Sequence, residues 1–332
     1  MTNPTRTRVS LVIPVYRGEA SIGPLVLRLR EVLGGRYELE FVLVNDGSPD
    51  GSARVCRELA REFSEVRFIN LSRNFGEHNA VMCGLHFATG DCAVIMDDDF
   101  QNPPDEVTKL VEELQRGYDV VFSYYEQKHH GWFRNWGSWF HNCVATVMLG
   151  KPYDLYLSSF KAINRFAIDQ VIQYRGPYPY IDGLLLRVTA SYARVLVRHD
   201  PRREGRSGYT IRKLLSLWLN MFTNFSVLPL RLASMAGLVL SVLGLLSAVG
   251  FAWEKIRDPS LPAGWASLIV SLFVISGVQL FALGMIGEYL GRLFLKDSGR
   301  PQFVVRDTEN VRPSESVRNS VEPVGGNGRG AG

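Results

Sequence analysis

The chain has 332 residues, a formal charge of +4, 46% hydrophobic and 21% charged residues. That length suits one catalytic domain plus an attachment. The mild charge allows phosphate or anionic-lipid binding, but no dense basic tract with interleaved aromatics argues for nucleic acid. The four cysteines, Cys56, Cys83, Cys92 and Cys143, have no paired spacing for zinc and read as reduced core thiols.

The N-terminus has only a short apolar run, closed by Pro14, which reads as a strand and not as a signal peptide. In chain order the pattern predicts a buried strand over Val9–Val15, a helix over Ala20–Leu33 and a strand over Leu39–Asn45. A turn, Asp46-Gly47-Ser48-Pro49-Asp50, comes next. A helix over Ser52–Phe63, a strand over Val66–Leu71, a helix over Glu77–Ala88 and a strand over Cys92–Met96 follow. Strands alternating with helices at this spacing imply an α/β fold, Rossmann-like, with a mostly parallel sheet. Ligands of such sheets bind at the carboxyl ends of the strands. Those ends carry Asn45 and Asp46, then Ser72, Arg73 and Asn74, then Asp97, Asp98 and Asp99.

Residues 1–210 are expected to form the cytoplasmic catalytic domain. Residues 211–232 carry Ile211, Leu214, Leu215, Trp218 and Phe222 on one helical face, which reads as interfacial helix. A stripe of Trp132, Phe133, Trp136, Trp139 and Phe140 fits headgroup contact or internal packing equally. Two uncharged runs, 233–253 and 265–287, are each long enough to span a bilayer, giving a two-helix transmembrane hairpin within 233–295. Basic residues concentrate outside this pair, so both flanks are expected in the cytoplasm, at the inner or plasma membrane. The Gly-, Ser- and Asn-rich tail, 307–332, is expected to be disordered.

The Asp97-Asp98-Asp99 run closes an apolar strand. A solvated acidic turn is one reading. The other is a cation site, since buried carboxylates repel one another unless neutralised, and Asp-x-Asp lets alternate side chains meet one hard ion. Mg²⁺ or Mn²⁺ suits such oxygens and takes substrate phosphates as further ligands. Asp46–Asp50 alone reads equally as a capped turn; its place on the same sheet edge favours a site.

Pro14-Val15-Tyr16, Asn45-Asp46-Gly47-Ser48, Arg73-Asn74-Phe75-Gly76, Asp97–Pro104 and Arg202–Thr210, with the C-terminal hairpin, resemble the inverting family 2 glycosyltransferases. Within them the likeness is to polyprenyl-phosphate glycosyltransferases related to dolichyl-phosphate mannose synthase. The resemblance implies a nucleotide-sugar transferase domain of the GT-A type. Pro14, Tyr16, Glu19, Asp46, Asp97 and Asp98 would bind the nucleotide sugar. Asp99 and Asp97 would hold the metal, Gln101 would face the sugar, and Arg202, Arg206, Ser207 and Lys213 would meet the acceptor phosphate. Asp97, Asp99, Gln101 and Arg202 would carry the catalysis. Partners would be a nucleotide-diphosphate sugar, UDP-linked glucose first, polyprenyl phosphate, the membrane, and further copies of the chain as a homo-oligomer, a tetramer by analogy. Mannose, N-acetylhexosamine and a modified aminoarabinose are the alternative sugars. The chain departs from the pattern at Phe100, Asp105, Ser159 and Gly208; relatives often have an acidic residue where Ser159 stands. Two other classes compete. A non-catalytic binding protein has no need of the intact Asp triplet. A processive synthase needs more spans and a Gln-x-x-Arg-Trp motif, which is absent.

Overall fold

The computed structural model describes residues 6–125, 155, 157–176, 179–200, 264–297 and 301–311, with isolated positions between 235 and 257. It divides into residues 1–208 with 299–332, and residues 209–298.

In the first unit the parallel strands β1 (Arg8–Val15), β2 (Glu38–Asn45), β3 (Val66–Leu71) and β4 (Cys92–Ile95) alternate with helices α1 (Ile22–Leu33), α2 (Ser52–Glu62) and α3 (Glu77–Phe87). These elements agree with the periodicity reading to within a few residues at their ends. Then come α4 (Glu106–Gln115), β5 (Val120–Tyr124), β6 (Lys161–Asn164), α5 (Arg165–Val171), α6 (Ile181–Val188), β7 (Tyr192–Leu196) and, after the second unit, β8 (Val305–Glu309). The sheet order is β7-β5-β6-β4-β1-β2-β3-β8. Strand β6 runs antiparallel to β4 and β5, and β8 antiparallel to β3; the other pairings are parallel.

Strand alternation builds two cores. Val9, Leu11, Ile13 and Val15 of β1, Phe41 and Leu43 of β2, and Val94 and Met96 point to the face covered by α1, α2 and α4. Val12, Val42, Val44, Ala93 and Ile95 point to the face covered by α3, α5 and α6. Because both faces are covered, the central strands are apolar throughout, as the sequence of β1 and β2 shows. Helix α1 buries Ile22, Leu25, Val26, Leu29 and Leu33, an i, i+3, i+4 stripe on one face. Each such side chain contributes about 1.5–3 kcal/mol by leaving water.

At the amino-terminal edge of the sheet Glu40 is buried. It accepts from Ser10 Oγ, from Thr89 N (2.7 Å) and Oγ1 (2.6 Å), and pairs with Arg67 at 2.9 Å. This carboxylate ties β1, β2, β3 and the turn before β4 together at the end remote from the candidate site.

Strand β8 departs from expectation: the composition predicts a disordered tail from 307 onward, yet Asp307–Glu309 lie in this strand. Its acidic side chains are paired: Asp307 with Arg57, and Glu309 with Arg61 at 3.4 Å. Asn310 adds bonds to the carbonyls of Ser64 and Val66, both 2.8 Å.

In the second unit, α7 (Trp265–Asp297) takes in the second expected span and continues beyond its expected end at 287. It exposes Leu268, Leu272, Phe281 and Leu290. Among the described residues no helix is long and apolar enough to cross a membrane. The expected interfacial segment 211–232, the aromatic stripe 132–140 and most of the first span lie outside the described residues.

His86 of α3 packs edge-on against Phe303, which leads into β8, with ring centroids 5.7 Å apart. Burial, with the charge of Arg175 second, pushes its imidazole down to about 4. In the unfolded chain the ring takes up a proton near pH 6.5, whereas the folded chain resists until about 4. Stability is therefore complete above 6.5 and declines as pH falls through that window, by up to about 3 kcal/mol. Thermal unfolding of the full chain at pH 7 and pH 5 should show a larger drop for wild type than for His86→Leu. Equal drops would remove His86 as the cause.

Candidate active site

The order of the strands reverses between β1 and β4: β2 and β3 lie beyond β1, and β6, β5 and β7 beyond β4. The crevice outside their carboxyl ends is where such a sheet binds ligands. Three loops meet there: 16–21 after β1, 46–51 after β2 and 96–102 after β4. The loop 72–76 after β3 packs beside them.

Two of these loops are held by side chains. Asp46 is 3% exposed, and its carboxylate accepts the backbone N–H of Phe75 at 2.7 Å and of Gly76 at 2.9 Å. Burial pushes the Asp46 carboxyl up, and the two amide bonds oppose that push. Gly47, with φ +59°, sits so close to loop 72–76 that a Cβ would overlap the backbone of Arg73 and Asn74. Ser48 Oγ accepts from Arg17 N (2.7 Å) and donates to Asp50 (2.6 Å). Glu19 accepts from Gly51 N at 2.9 Å and pairs with Arg54 at 3.2 Å. Partial burial alone would raise the Asp50 carboxyl, but bonds from Ser48, Ser52 and the Ser52 and Glu19 amides hold it below its ordinary value.

The Asp triplet divides as strand alternation requires. Asp98 packs its carboxylate onto Gly18, where any Cβ would collide with it. Asp97 turns the other way and accepts from Ser159 Oγ at 2.7 Å. Burial pushes the Asp97 carboxyl up, and the charges of Glu77 and Asp99 push it further, to about 6, against the Ser159 bond and the Lys161 ammonium. Asp99 accepts from Gln101 N at 3.1 Å. Between them Phe100 has φ +60°, a backbone conformation that non-glycine residues adopt at a cost of about 1–3 kcal/mol. Gln101 O in turn accepts from Asp200 N at 2.9 Å, so the chain leaving β7 is stitched to this loop.

Pro14, Tyr16, Glu19, Asp46, Asp97, Asp98, Asp99 and Gln101 thus all fall on the carboxyl edge of the sheet. Tyr16 is exposed there, and Pro14 is paired in register with Val44 within the sheet. Glu19 and Asp46 are engaged chiefly in holding backbone. Arg202, Arg206, Ser207 and Lys213 lie outside the described residues.

The sequence reading missed Glu77, one residue beyond the Arg73–Gly76 motif. In the first turn of α3 it looks like an ordinary complement to the helix dipole. It also missed the buried ion pair of Lys161 and Asp182, and the chain Asn102–Tyr125–Ser158–Ser123. In that chain Tyr125 Oη reaches Asn102 Oδ1 at 2.9 Å and Ser158 Oγ at 3.0 Å, and Ser123 reaches Ser158 at 2.9 Å. Ser159 stood out only as a departure from the family pattern; its hydroxyl is bonded to Asp97, an arrangement that leaves no base at this position.

Among the described residues no three His, Cys, Asp or Glu side chains converge as a complete metal set. Asp97 and Asp99 nonetheless fit a hard divalent ion whose remaining ligands come from phosphate and water, the usual manner of Mg²⁺. The negative charge that raises Asp97 is the charge such an ion would offset.

Residues 10–180 match the family described as glycosyl transferase family 2. The undecaprenyl-phosphate 4-deoxy-4-formamido-L-arabinose transferase of Proteus mirabilis is 34% identical over 309 residues, 92% of this chain and 95% of that protein. An uncharacterized glycosyltransferase of Bacillus subtilis is 32% identical over 311 residues, 93% of this chain and 96% of that one. Among solved structures, glucosyl-3-phosphoglycerate synthase from Mycobacterium tuberculosis, in complex with Mn²⁺, uridine diphosphate and phosphoglyceric acid, is 17% identical. It covers 65% of this chain and 74% of that chain, with a TM-score of 0.47. The sequence matches and the carboxyl-edge site together make the protein a glycosyltransferase. The chain belongs to glycosyl transferase family 2.

Asp46→Asn is not a conservative change here. Both partners of the carboxylate are N–H donors, so an amide would set donor against donor at Phe75 or Gly76. The expected cost is about 1–3 kcal/mol, seen as a lowered unfolding temperature without any ligand. A residue whose sole task was to touch the nucleotide would leave that temperature unchanged.

Proposed function

We propose that the enzyme transfers a sugar from a nucleotide-diphosphate donor to polyprenyl phosphate, with inversion, at the cytoplasmic face of a membrane. The placement of Asp97 and Asp99 at the reversal point of the sheet, beside the exposed Tyr16, carries the donor half of this reading. The acceptor half is supported by relatives that bear undecaprenyl-phosphate in their names and match over more than nine-tenths of the chain. Those names also move a modified aminoarabinose ahead of glucose among the candidate sugars. A uridine nucleotide remains the first choice for the donor.

The acceptor nucleophile is a phosphate monoester with a second pKa of about 6, largely dianionic at neutral pH. It needs no strong base, which agrees with a serine at position 159. What the chain must do is gather two anionic substrates and hold the donor. Loops 46–51 and 72–76, fixed by Asp46, would seat the nucleotide. Asp97 and Asp99 would hold the divalent ion, with Ser159 fixing the Asp97 carboxylate. When bound, that ion supplies positive charge for the departing diphosphate. Arg202, Arg206 and Lys213 would neutralise the acceptor phosphate. Arg202 follows Asp200 by two residues, no more than about 7 Å of chain, and Asp200 is bonded to Gln101.

Membrane attachment through 233–295 is part of this proposal. Two observations support it: the uncharged runs 233–253 and 265–287, and the apolar side chains exposed along α7. Strands β7 and β8 lie in one sheet, so the segment between them would cross a bilayer an even number of times. That parity fits a hairpin with both flanks on one side.

Membranes containing the protein, supplied with polyprenyl phosphate, should convert one of a panel of nucleotide sugars into a lipid-linked sugar detected by mass. EDTA or Asp99→Ala should abolish conversion with the chain still folded; full activity in EDTA would sink the metal assignment. Arg202→Ala should lose about ten- to a hundredfold in turnover at low polyprenyl phosphate. Tight donor binding without any turnover across the panel would favour the non-catalytic reading.

A further inference from the structure

Strand β8 lies at the far edge of the sheet from β4, yet it reaches the donor loops through a line of side chains. Asp307 Oδ2 accepts from Asn70 Nδ2 at 2.8 Å, and Asn70 Oδ1 accepts from Asn45 Nδ2 at 2.8 Å. Asn45 Oδ1 accepts the backbone N–H of Ser48 at 3.4 Å. The three residues are register partners on β8, β3 and β2. Ser48 then holds Arg17 N and Asp50, joining the loop after β1 to the loop after β2.

The line has a direction, set by an obligate acceptor at the β8 end and, through a longer bond, by the Ser48 N–H at the other. An ionised carboxylate only accepts, so Asn70 must turn its NH₂ toward Asp307 and its oxygen toward Asn45. Asn45 must then present its NH₂ to Asn70 and its oxygen to the Ser48 amide. An uncharged amide at 307 would impose no such order. Partial burial works against the charge on Asp307, but bonds from Asn70 and Arg57 hold its carboxyl below the ordinary value, so it stays ionised. A second tie runs alongside: Ser72 N donates to Val304 O at 2.8 Å, and Arg306 donates to Ser72 O at 3.2 Å. Ser72 opens the loop whose Phe75 and Gly76 amides hold Asp46.

We propose that Asp307 is a positioning residue for the nucleotide subsite, its charge orienting Asn70 and Asn45 so that the Gly47–Ser48 turn is held ready for the donor. This rests on the reading of loops 46–51 and 72–76 as the nucleotide seat. The strand that follows the apolar second unit thereby becomes a working part of the catalytic domain.

The test uses the full chain, UDP as probe, and two readouts: UDP affinity by calorimetry and amide hydrogen exchange over residues 46–52. Asp307→Asn should weaken UDP binding roughly two- to thirtyfold and speed exchange at this turn. Arg61→Gln, which breaks the neighbouring Glu309 pair outside the line, should do neither. The double change Asn70→Asp with Asp307→Asn moves the carboxylate to position 70, where it still accepts from Asn45, and should restore both readouts. Unchanged affinity and exchange in Asp307→Asn would overturn the proposal. So would a double variant no better than the single one, because β8 would then act only as a structural edge. If wild type binds no UDP while the exchange pattern follows the line, the uridine donor reading fails and the positioning role stands.

Discussion

Crowded negative charge at the carboxyl end of β4 is the constraint around which this enzyme is arranged. Burial disfavours the charge on Asp97, and the charges of Glu77 and Asp99 disfavour it further. Folding alone would favour any substitution that dispersed these groups. Their neighbours instead hold them in place: Ser159 on Asp97, the Gln101 amide on Asp99, and Gly18 making room for Asp98. Phe100, in a backbone conformation ill suited to it, marks the same tension. Strain kept at a cleft is consistent with a site whose stabilisation is completed by a ligand.

The other loops are stiffened from the opposite direction, by carboxylates that accept backbone N–H groups. Asp46 holds loop 72–76, and Glu19 and Asp50 hold the start of α2. Motif residues that looked like direct substrate contacts in the sequence therefore turn out to fix the backbone. The two tasks are compatible, since a carboxylate oxygen has a second lone pair, but the backbone bonds are present before any ligand arrives. A nucleotide would meet a seat already formed, and less ordering on binding means tighter binding.

What could be read from the sequence follows from what leaves a periodic signal. Elements from β1 to β4 were legible because strands covered on both faces are apolar throughout and the intervening helices carry stripes such as Ile22, Leu25 and Leu29. The Asp triplet was legible because three acids cannot close an apolar strand without a reason. Beyond Gln101 the signal fades: β6 spans only four residues and its neighbours run antiparallel. Strand β8 was invisible since Arg306, Asp307 and Glu309 resemble a solvated tail; their partners Arg57, Arg61 and Asn70 are more than two hundred residues away in the chain. Glu77 hid in a helix first turn, where acids are ordinary. Pattern reports burial well, but it does not report which distant residue a charge will meet.

The return of the chain to its own sheet makes the second unit an insertion within the first. Residues 209–298 are inserted in the chain between β7 and β8, two strands of one sheet. With β8 seated on β3, and β3 on β2, the chain that follows the insertion is part of the sheet itself. Held by Arg57, Arg61 and Asn70, this strand joins the sheet edge through ion pairs and amides and needs little apolar burial of its own.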